Sequence, residues 1–391
     1  MKVLQLHTRY LVPGGEETAL ANETSLLVEH GVDVVQSVYH DPLVDTYNLW
    51  KKTRIAFSSF WSPSFDRSIL ETIREENVDI VHVHNFFPFV PVSGLRTASR
   101  HVPVVMTLHN YRLICPQVNM FRAGKPCTEC LGRTLKYPAL KHACYRNSLS
   151  ATIGHMLTLQ GHAFLKTWSE RITLFIALSE YQKSLYVAEG FDEERIVIKP
   201  NFVAPDPGCS FEKNNVACFV GRLSPEKGIE LLFSAGRYFD KILIHIAGEG
   251  EVEMRSPDYD GQKYHLLGKL SREDVFSLLQ NARFLVYPSL SYEGLSMTII
   301  EAFACGTPVI VSSHGSSAEL VDDGRTGLHF RPGDARDLAE KIKWAWDHPE
   351  IMIVMGKEAR KEYELKYTGG KNIRLLLDIY DRALKKHGKN H

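Results

Sequence analysis

The sequence predicts two doubly wound α/β domains joined by a short linker. Three observations lead there. Short apolar strands alternate with amphipathic helices along most of the chain, the pattern of parallel sheets covered on both faces. The alternation breaks once, at Pro200-Asn201-Phe202-Val203-Ala204-Pro205-Asp206-Pro207-Gly208, and then restarts. The length, 391 residues, suits two domains of roughly 100–200 residues each. The expected division is an N-terminal domain over 1–200, a linker over 201–208, a C-terminal domain over 209–370, and a last helix with a polar tail over 371–391 packing back on the N-terminal domain.

In order, residues 2–7 are rich in strand formers. Residues 16–30 read as a helix with Leu20, Leu26 and Leu27 on one side and Gly31 closing it. A strand at 32–39 follows, then a helix at 69–76, strands at 79–83, 102–108 and 172–178, a helix N-capped by Ser179, and a strand at 195–199. Beyond the linker come strand 216–220, helix 227–237, strands 242–247 and 264–267, helix 271–281, strand 284–287, helix 296–304, strand 308–311 and helix 335–346. Residues 372–386 form an amphipathic helix with Ile373, Leu376, Leu377 and Tyr380 on one side. Open parallel sheets bind ligands beyond the carboxyl ends of their strands, so the expected site is a cleft between the domains.

Composition excludes several classes. Apolar residues make up 44% and charged residues 24%, which is ordinary globular usage and not that of a disordered chain. Lys plus Arg and Asp plus Glu both number 46, a balance that argues against general nucleic-acid binding. No apolar run has membrane-helix length, and the start lacks the apolar stretch of a signal peptide, so the expected compartment is the cytoplasm. The charge is locally biased: residues 96–150 hold nine Lys/Arg and one acid, +8, while residues 1–95 hold seven and twelve, −5. Such a stretch either steers anionic partners or is balanced by acids folded nearby.

Four motifs carry candidate chemistry. Pro13-Gly14-Gly15-Glu16-Glu17 follows the first strand and opens a helix, where close backbone approach and free N–H groups favour an anion, although a tight turn also needs glycine. Gly221-Arg222-Leu223-Ser224-Pro225-Glu226-Lys227-Gly228 follows another strand, and Arg222 and Lys227 can converge on one pyrophosphate. Bases at a helix start oppose its dipole, which favours a functional reading over a structural one. Glu293 and Glu301 flank Gly294-Leu295-Ser296-Met297-Thr298-Ile299-Ile300, and a carboxylate at Glu301, inside an apolar helix, needs donors such as sugar or ribose hydroxyls. Thr107-Leu108-His109 sets His109 at the carboxyl end of a strand.

With Lys199-Pro200-Asn201, Gly248-Glu249-Gly250, Gly306-Thr307-Pro308-Val309-Ile310 and Asp323-Gly324-Arg325-Thr326-Gly327, these motifs form an ordered set over essentially the whole chain. The set resembles glycosyltransferase family 4, the retaining nucleotide-sugar transferases of GT-B fold. The resemblance implies that Arg222 and Lys227 hold the donor diphosphate, that Glu301 binds the ribose, and that Glu293 lies against the donor sugar with Gly294 and the amides of Leu295 and Ser296 nearby. It implies that Gly14 and Gly15 approach the phosphate from the other domain, that His109 touches the sugar near the reacting carbon, and that Gly248 and Gly250 shape the donor cleft. It implies no metal in catalysis, since cations on the leaving diphosphate stabilise its charge.

Cys127-Thr128-Glu129-Cys130, with Cys115 upstream and Cys144 downstream, sits in a basic insertion over 112–147. Four thiolates, or three with His142, could close a structural zinc site; reduced thiols and redox activity are the alternatives. The expected partners are a nucleotide diphosphate sugar and a glycan or lipid-linked acceptor, with the +8 stretch meeting an anionic membrane surface at the inner face, no nucleic acid, and a place in cell-surface polysaccharide synthesis. A nucleotide-sugar epimerase or phosphorylase on the same fold, or a nucleic-acid-binding protein using the Cys cluster, are the competing readings.

Overall fold

The computed structural model describes residues 1–9, 14–40, 49–250 and 256–389; Pro13 of the glycine-rich turn and the end of the polar tail lie outside the described residues. The chain divides into two compact units, one of residues 1–120, 128–200 and 372–391 and one of residues 121–127 and 201–371.

Unit 1 contains β1 (Lys2–Thr8), α1 (Gly15–Glu29), β2 (Asp33–Tyr39), α2 (Leu49–Phe60), α3 (Pro63–Glu75), β3 (Ile80–Asn85), α4 (Val92–Ala98) and β4 (Val104–Thr107). The short hairpin of β5 (Phe121–Arg122) and β6 (Lys125–Pro126) belongs to unit 2. Unit 1 then continues with α5 (Tyr137–Lys141), α6 (Leu149–Phe164), β7 (Leu174–Ala177), α7 (Glu180–Ala188) and β8 (Ile196–Ile198). Six strands pair in the order β2-β1-β3-β4-β7-β8, all parallel. The central strands are near-continuous runs of buried residues, Ile80–Asn85 without exception, as a sheet covered on both faces requires.

Unit 2 contains β9 (Ala217–Val220), α8 (Ile229–Ala235), β10 (Ile244–Ala247), β11 (Tyr264–Gly268), α9 (Arg272–Asn281), β12 (Leu285–Tyr287), α10 (Met297–Ala304), β13 (Val309–Ser312), α11 (Gly315–Leu320), β14 (Gly327–Phe330), α12 (Ala335–Asp347) and α13 (Pro349–Lys366). Its strands pair in the parallel order β11-β10-β9-β12-β13-β14. Chain direction through the sheet reverses between β9 and β12, and such a switch point leaves a crevice beyond the strand ends. The last helix, α14 (Gly369–Gly388), lies from Asn372 onward in unit 1. There Ile373, Leu376, Ile379, Tyr380 and Ala383 join Val3, Leu27, Ile80, Val105, Leu174 and Ile176 in one buried cluster. Each such side chain contributes roughly 1.5–3 kcal/mol when fully buried.

The expected fold class stands: two α/β units built on parallel sheets. Helices α2, α6 and α13 are additional to those expected, and one expected helix is broken. Residues 227–237 are not a single helix: Pro225–Lys227 form a 3-10 turn, Gly228 takes φ +73°, and α8 begins only at Ile229. A Cβ at Gly228 would lie 2.0 Å from the Pro288 carbonyl oxygen, so the turn after β9 rests on the backbone after β12. A side chain there meets both a steric clash and a left-handed backbone. Gly228→Ala should therefore cost about 2 kcal/mol or more. The check is thermal unfolding of the full chain, where the variant melts several degrees lower.

Candidate functional site

The switch point of unit 2 gathers three of the expected residues. Glu293, on the loop after β12, has one carboxylate oxygen ringed by donors: Lys227 Nζ at 2.8 Å, the Tyr287 hydroxyl at 2.6 Å and Ser289 Oγ at 3.0 Å. Ser316 at the start of α11 donates to the Glu293 carbonyl and ties the loop to the next crossover. The Lys227 ammonium also lies 3.4 Å from the Tyr287 hydroxyl and over that ring, 5.6 Å from its centroid. Burial alone would raise the Glu293 pKa and lower that of Lys227, but their mutual attraction wins. Glu293 is held below the usual carboxylate range and Lys227 above the usual ammonium range, so both stay charged. Burial and the Glu293 charge push the Tyr287 phenol up, which keeps it a neutral donor.

Arg222 stands on the same loop, with its guanidinium 3.5 Å from Glu226 and more than half exposed. Its charge reaches Lys227 and opposes protonation there. The Glu226 carbonyl in turn accepts from Leu290 N at 2.9 Å and Ser289 Oγ at 3.2 Å. Arg222, Lys227 and Glu293 are thus carried by two loops stitched together at the ends of β9 and β12. Gly248 and Gly250 do the same after β10: a Cβ on Gly248 would meet the Gly221 carbonyl at 1.8 Å, and one on Gly250 the Leu223 carbonyl at 2.2 Å. These glycines permit close backbone approach.

Ser296 N-caps α10 through a 3.4 Å bond from Ile299 N and is buried with Leu295. Glu301 lies on that helix, and burial raises its carboxyl to about 7, with Arg272 only partly opposing. Near neutral pH it therefore exists as a mixture of acid and carboxylate.

Unit 1 places its expected residues differently. Gly14 caps α1, but its N–H already donates to Glu17 Oε2 at 2.8 Å, and Glu16 and Glu17 bring two acids to that first turn. Gly15 is the first residue of the helix. His109 follows β4, with its Nε2 3.0 Å from His84 Nδ1. The residue before it is fixed by Gln182, whose amide donates to the Leu108 carbonyl at 2.8 Å. His84 Nε2 lies 3.2 Å from Glu23, and Glu23 accepts from Lys199 Nζ at 2.9 Å.

All seven cysteines are free thiols. Among the described residues, the side chains with three ligand atoms within 4.8 Å of one another are Glu23, His82 and His84; the cysteines expected as ligands, Cys115, Cys127, Cys130 and Cys144, form no such group. The Glu23 group is already an ion pair with Lys199, whose ammonium opposes a second cation. Cys115, Cys130 and Cys144 are near enough for their charges to interact, and burial pushes the Cys130 thiol up to about 12. His142 instead faces Glu129 at 3.4 Å. The +8 stretch is also less of a surface than its charge count implies. Arg112 is buried, Lys136 is buried against Glu189 and the Cys130 carbonyl, and Arg96 donates to the Leu165 carbonyl and Thr167.

Residues 13–207 match the family described as Glycosyltransferase Family 4, and residues 206–362 match Glycosyl transferases group 1. The chain belongs to the family-4 glycosyltransferases. An uncharacterized glycosyltransferase of Methanocaldococcus jannaschii is 28% identical over 70% of this chain and 82% of the relative. A putative teichuronic acid biosynthesis glycosyltransferase of Bacillus subtilis is 25% identical over 81% of this chain and 75% of the relative. An N-acetylgalactosaminyltransferase of Campylobacter jejuni acting on N,N'-diacetylbacillosaminyl-diphospho-undecaprenol is 32% identical over 45% of this chain and 47% of the relative. In fold, the enzyme is similar to HepE of Anabaena, solved in complex with UDP (TM-score 0.65, 17% identity, 97% of this chain and 100% of that one). Sucrose-phosphate synthase of Thermosynechococcus elongatus is as close in fold (TM-score 0.69, 15% identity, 98% and 99%).

Sequence reading of this glycosyltransferase missed Tyr287, Ser289 and Ser316. A strand-final tyrosine two residues before a serine, on the loop that carries Glu293, was the available signal. It missed Glu23, His82 and His84 as well, although two histidines and an acid inside apolar runs each need a partner.

Proposed function

We propose that this glycosyltransferase moves a sugar, with retention of configuration, from a nucleotide diphosphate sugar to a glycan or lipid-linked acceptor. The observation that carries the reading is the Lys227–Glu293–Tyr287 cluster beside Arg222 at the switch point of unit 2. Support also comes from HepE, solved with UDP and with UDP-glucose. In this reading Arg222 and Lys227 stabilise the charge growing on the leaving diphosphate, so no divalent ion is needed. Glu293 fixes the direction of the Lys227 ammonium and lies beside the donor sugar, with Gly294, Leu295 and Ser296 supplying backbone donors. Glu301 accepts from the ribose hydroxyls, and His109 keeps the donor-sugar role that the family resemblance implies. In this reading Glu293 is engaged by Lys227, Tyr287 and Ser289 rather than acting as a nucleophile, and displacement is front-face with the departing phosphate helping to deprotonate the acceptor. The teichuronic-acid and undecaprenol relatives favour polysaccharide or glycoconjugate synthesis, and an acceptor of the second kind would bring the enzyme to an anionic membrane surface. Among the described residues, no helix is long and apolar enough to cross a membrane.

Transfer assays with product analysis test the reaction and separate it from epimerisation or phosphorolysis. Arg222→Ala and Lys227→Ala should each lower turnover roughly 10²–10³-fold with the fold intact by circular dichroism. Glu293→Gln should lower turnover while donor affinity changes less than about threefold. If all three variants keep near-normal rates, the assignment of the site is wrong.

Glu301 supplies a pH test. Hydroxyl donors favour its ionised form, so binding lowers its pKa and releases a proton, and affinity rises with pH until the free group is ionised. UDP-glucose, whose phosphates stay charged throughout, should bind about tenfold more tightly at pH 8 than at pH 6 by calorimetry. Glu301→Gln should flatten that dependence; an unchanged slope would assign it to another group.

A further inference from the structure

Unit 1 has an apolar face that its own core leaves uncovered. Helices α2 and α6 pack along a seam of small residues: a Cβ on Gly154 would meet that of Ala56 at 2.6 Å, and one on Gly161 would meet the Phe60 ring at 2.6 Å. Beside that seam each helix carries an outward apolar stripe. Trp50, Phe57 and Trp61 recur at i, i+7 and i+11, and they are 86%, 66% and 47% exposed. Leu149, Ile153 and Leu157 recur every four residues on α6, and Phe164 beyond them is 89% exposed. Of the twenty exposed large apolar side chains among the described residues, eight lie within 50–61 and 149–165. A cavity of about 580 Å³ opens there, lined by Phe57, Phe60, Phe87, Ile153 and Leu157, with Arg146 at its margin.

The exposed charge carried by these segments is mainly basic. Lys51, Arg54, Lys141 and Arg146 are exposed, while Lys136 faces Glu189 and Lys166 faces Glu170. An apolar, tryptophan-bearing face with a mainly basic border complements hydrocarbon under anionic headgroups. We propose that the α2–α6 face docks this enzyme on an anionic bilayer, with Trp50, Phe57 and Phe164 entering the interface. The proposal rests on the membrane reading above and moves the contact from the +8 stretch over 96–150 to these two helices.

Vesicle sedimentation tests it. The full chain should pellet with phosphatidylglycerol-containing vesicles at low salt and remain in solution with pure phosphatidylcholine. Phe57→Glu with Phe164→Glu should weaken pelleting roughly tenfold or more, while turnover of a soluble acceptor persists as the check on folding. No pelleting by the natural sequence overturns the membrane reading itself. Equal pelleting by the double variant overturns only the placement. A dimer in light scattering that the double variant dissolves, without vesicle binding, assigns the face to a second copy and also overturns the proposal.

A separate set of contacts carries a second inference. His84 and His109 meet nitrogen to nitrogen, so one of the two must carry the shared proton. Burial holds both rings neutral, His84 down at about 4. The other face of His84 lies against the Glu23 carboxylate, which Lys199 and the surrounding histidines keep ionised; the approach is electrostatic rather than an aligned hydrogen bond. A carboxylate there favours the His84 proton on Nε2. His84 Nδ1 is then an acceptor, His109 must donate from Nε2, and His109 Nδ1 is left as a bare acceptor. We infer that Glu23 is a positioning residue that sets the tautomer of His109 through His84.

Nitrogen and carbon NMR of histidine-labelled enzyme, with His109→Gln to assign the ring, reads this directly. His109 should carry its proton on Nε2. In Glu23→Gln the amide oxygen must face Lys199, which only donates, so the amide nitrogen faces His84 and both tautomers reverse. A proton on His109 Nδ1 in the natural enzyme overturns the inference without any variant, and so does an unreversed tautomer in Glu23→Gln. Turnover of Glu23→Gln should fall at least about tenfold with donor KM changed less than about threefold. A reversed tautomer with full turnover leaves the inference standing and removes the role of His109.

Discussion

A half-buried ammonium facing a half-buried carboxylate organises unit 2. Lys227 and Glu293 sit on different loops, and each pushes the other further toward its charged form. Such a pair contributes little net stability, because desolvation offsets the attraction. What it gains is direction. The ammonium keeps a fixed position beside Arg222, and the carboxylate is oriented by Tyr287 and Ser289 before any ligand arrives. Gly228 makes the pairing possible by letting the turn after β9 lie on the Pro288 backbone. A group held this way need not reorganise when charge develops, which is the physical basis of electrostatic catalysis.

Much of this was legible in the sequence, for reasons that can be named. The strands of both sheets were readable because buried parallel strands are continuous apolar runs, and Ile172 to Leu178 needs no context to be seen as one. Arg222 and Lys227 stood out because bases at a helix start oppose its dipole, and Glu293 because it follows a strand at the carboxyl edge of the sheet. The break at Gly228 was not legible, because one glycine in a helical pattern is compatible with continuation until the tertiary clash is known. α6 was missed because its sixteen residues contain no Lys, Arg, Asp or Glu, so no polar face contrasts with the apolar one. The cysteines offered a spacing and nothing more, since Cys-x2-Cys is short enough to recur without a metal and neighbours beyond the motif decide the geometry.

Unit 1 inverts the usual arrangement in two places. Its interior holds Glu23, His82, His84 and Lys199, all less than a tenth exposed, in a network anchored on the carboxyl side of the sheet. Its exterior holds tryptophan and phenylalanine on α2 and α6. Burying the first set and exposing the second both work against stability. Apolar residues were available for the interior, since the same sheet packs Val3, Ile80 and Val105. The polar network therefore answers a demand other than folding, and its chain of contacts ends at His109. The exposed aromatics answer a similar demand at the surface.

Charge counted along the sequence is a poor guide to where a partner meets this protein. The stretch 96–150 is the most basic part of the chain, yet three of its nine cations are spent internally: Arg112 is buried, Lys136 faces Glu189, and Arg96 ties α4 to the segment after α6. A cation bonded to a carbonyl in its own fold contributes little field outside it. Around α2 and α6 pairing again decides: Lys136 faces Glu189 and Lys166 faces Glu170, whereas Lys51, Arg54, Lys141 and Arg146 are exposed. Screening over a Debye length of about 8 Å at physiological ionic strength confines the field of those exposed cations to their own surroundings. An attractive potential next to exposed aromatics is thus set by which residues the fold leaves outside, and only a structure can sort them.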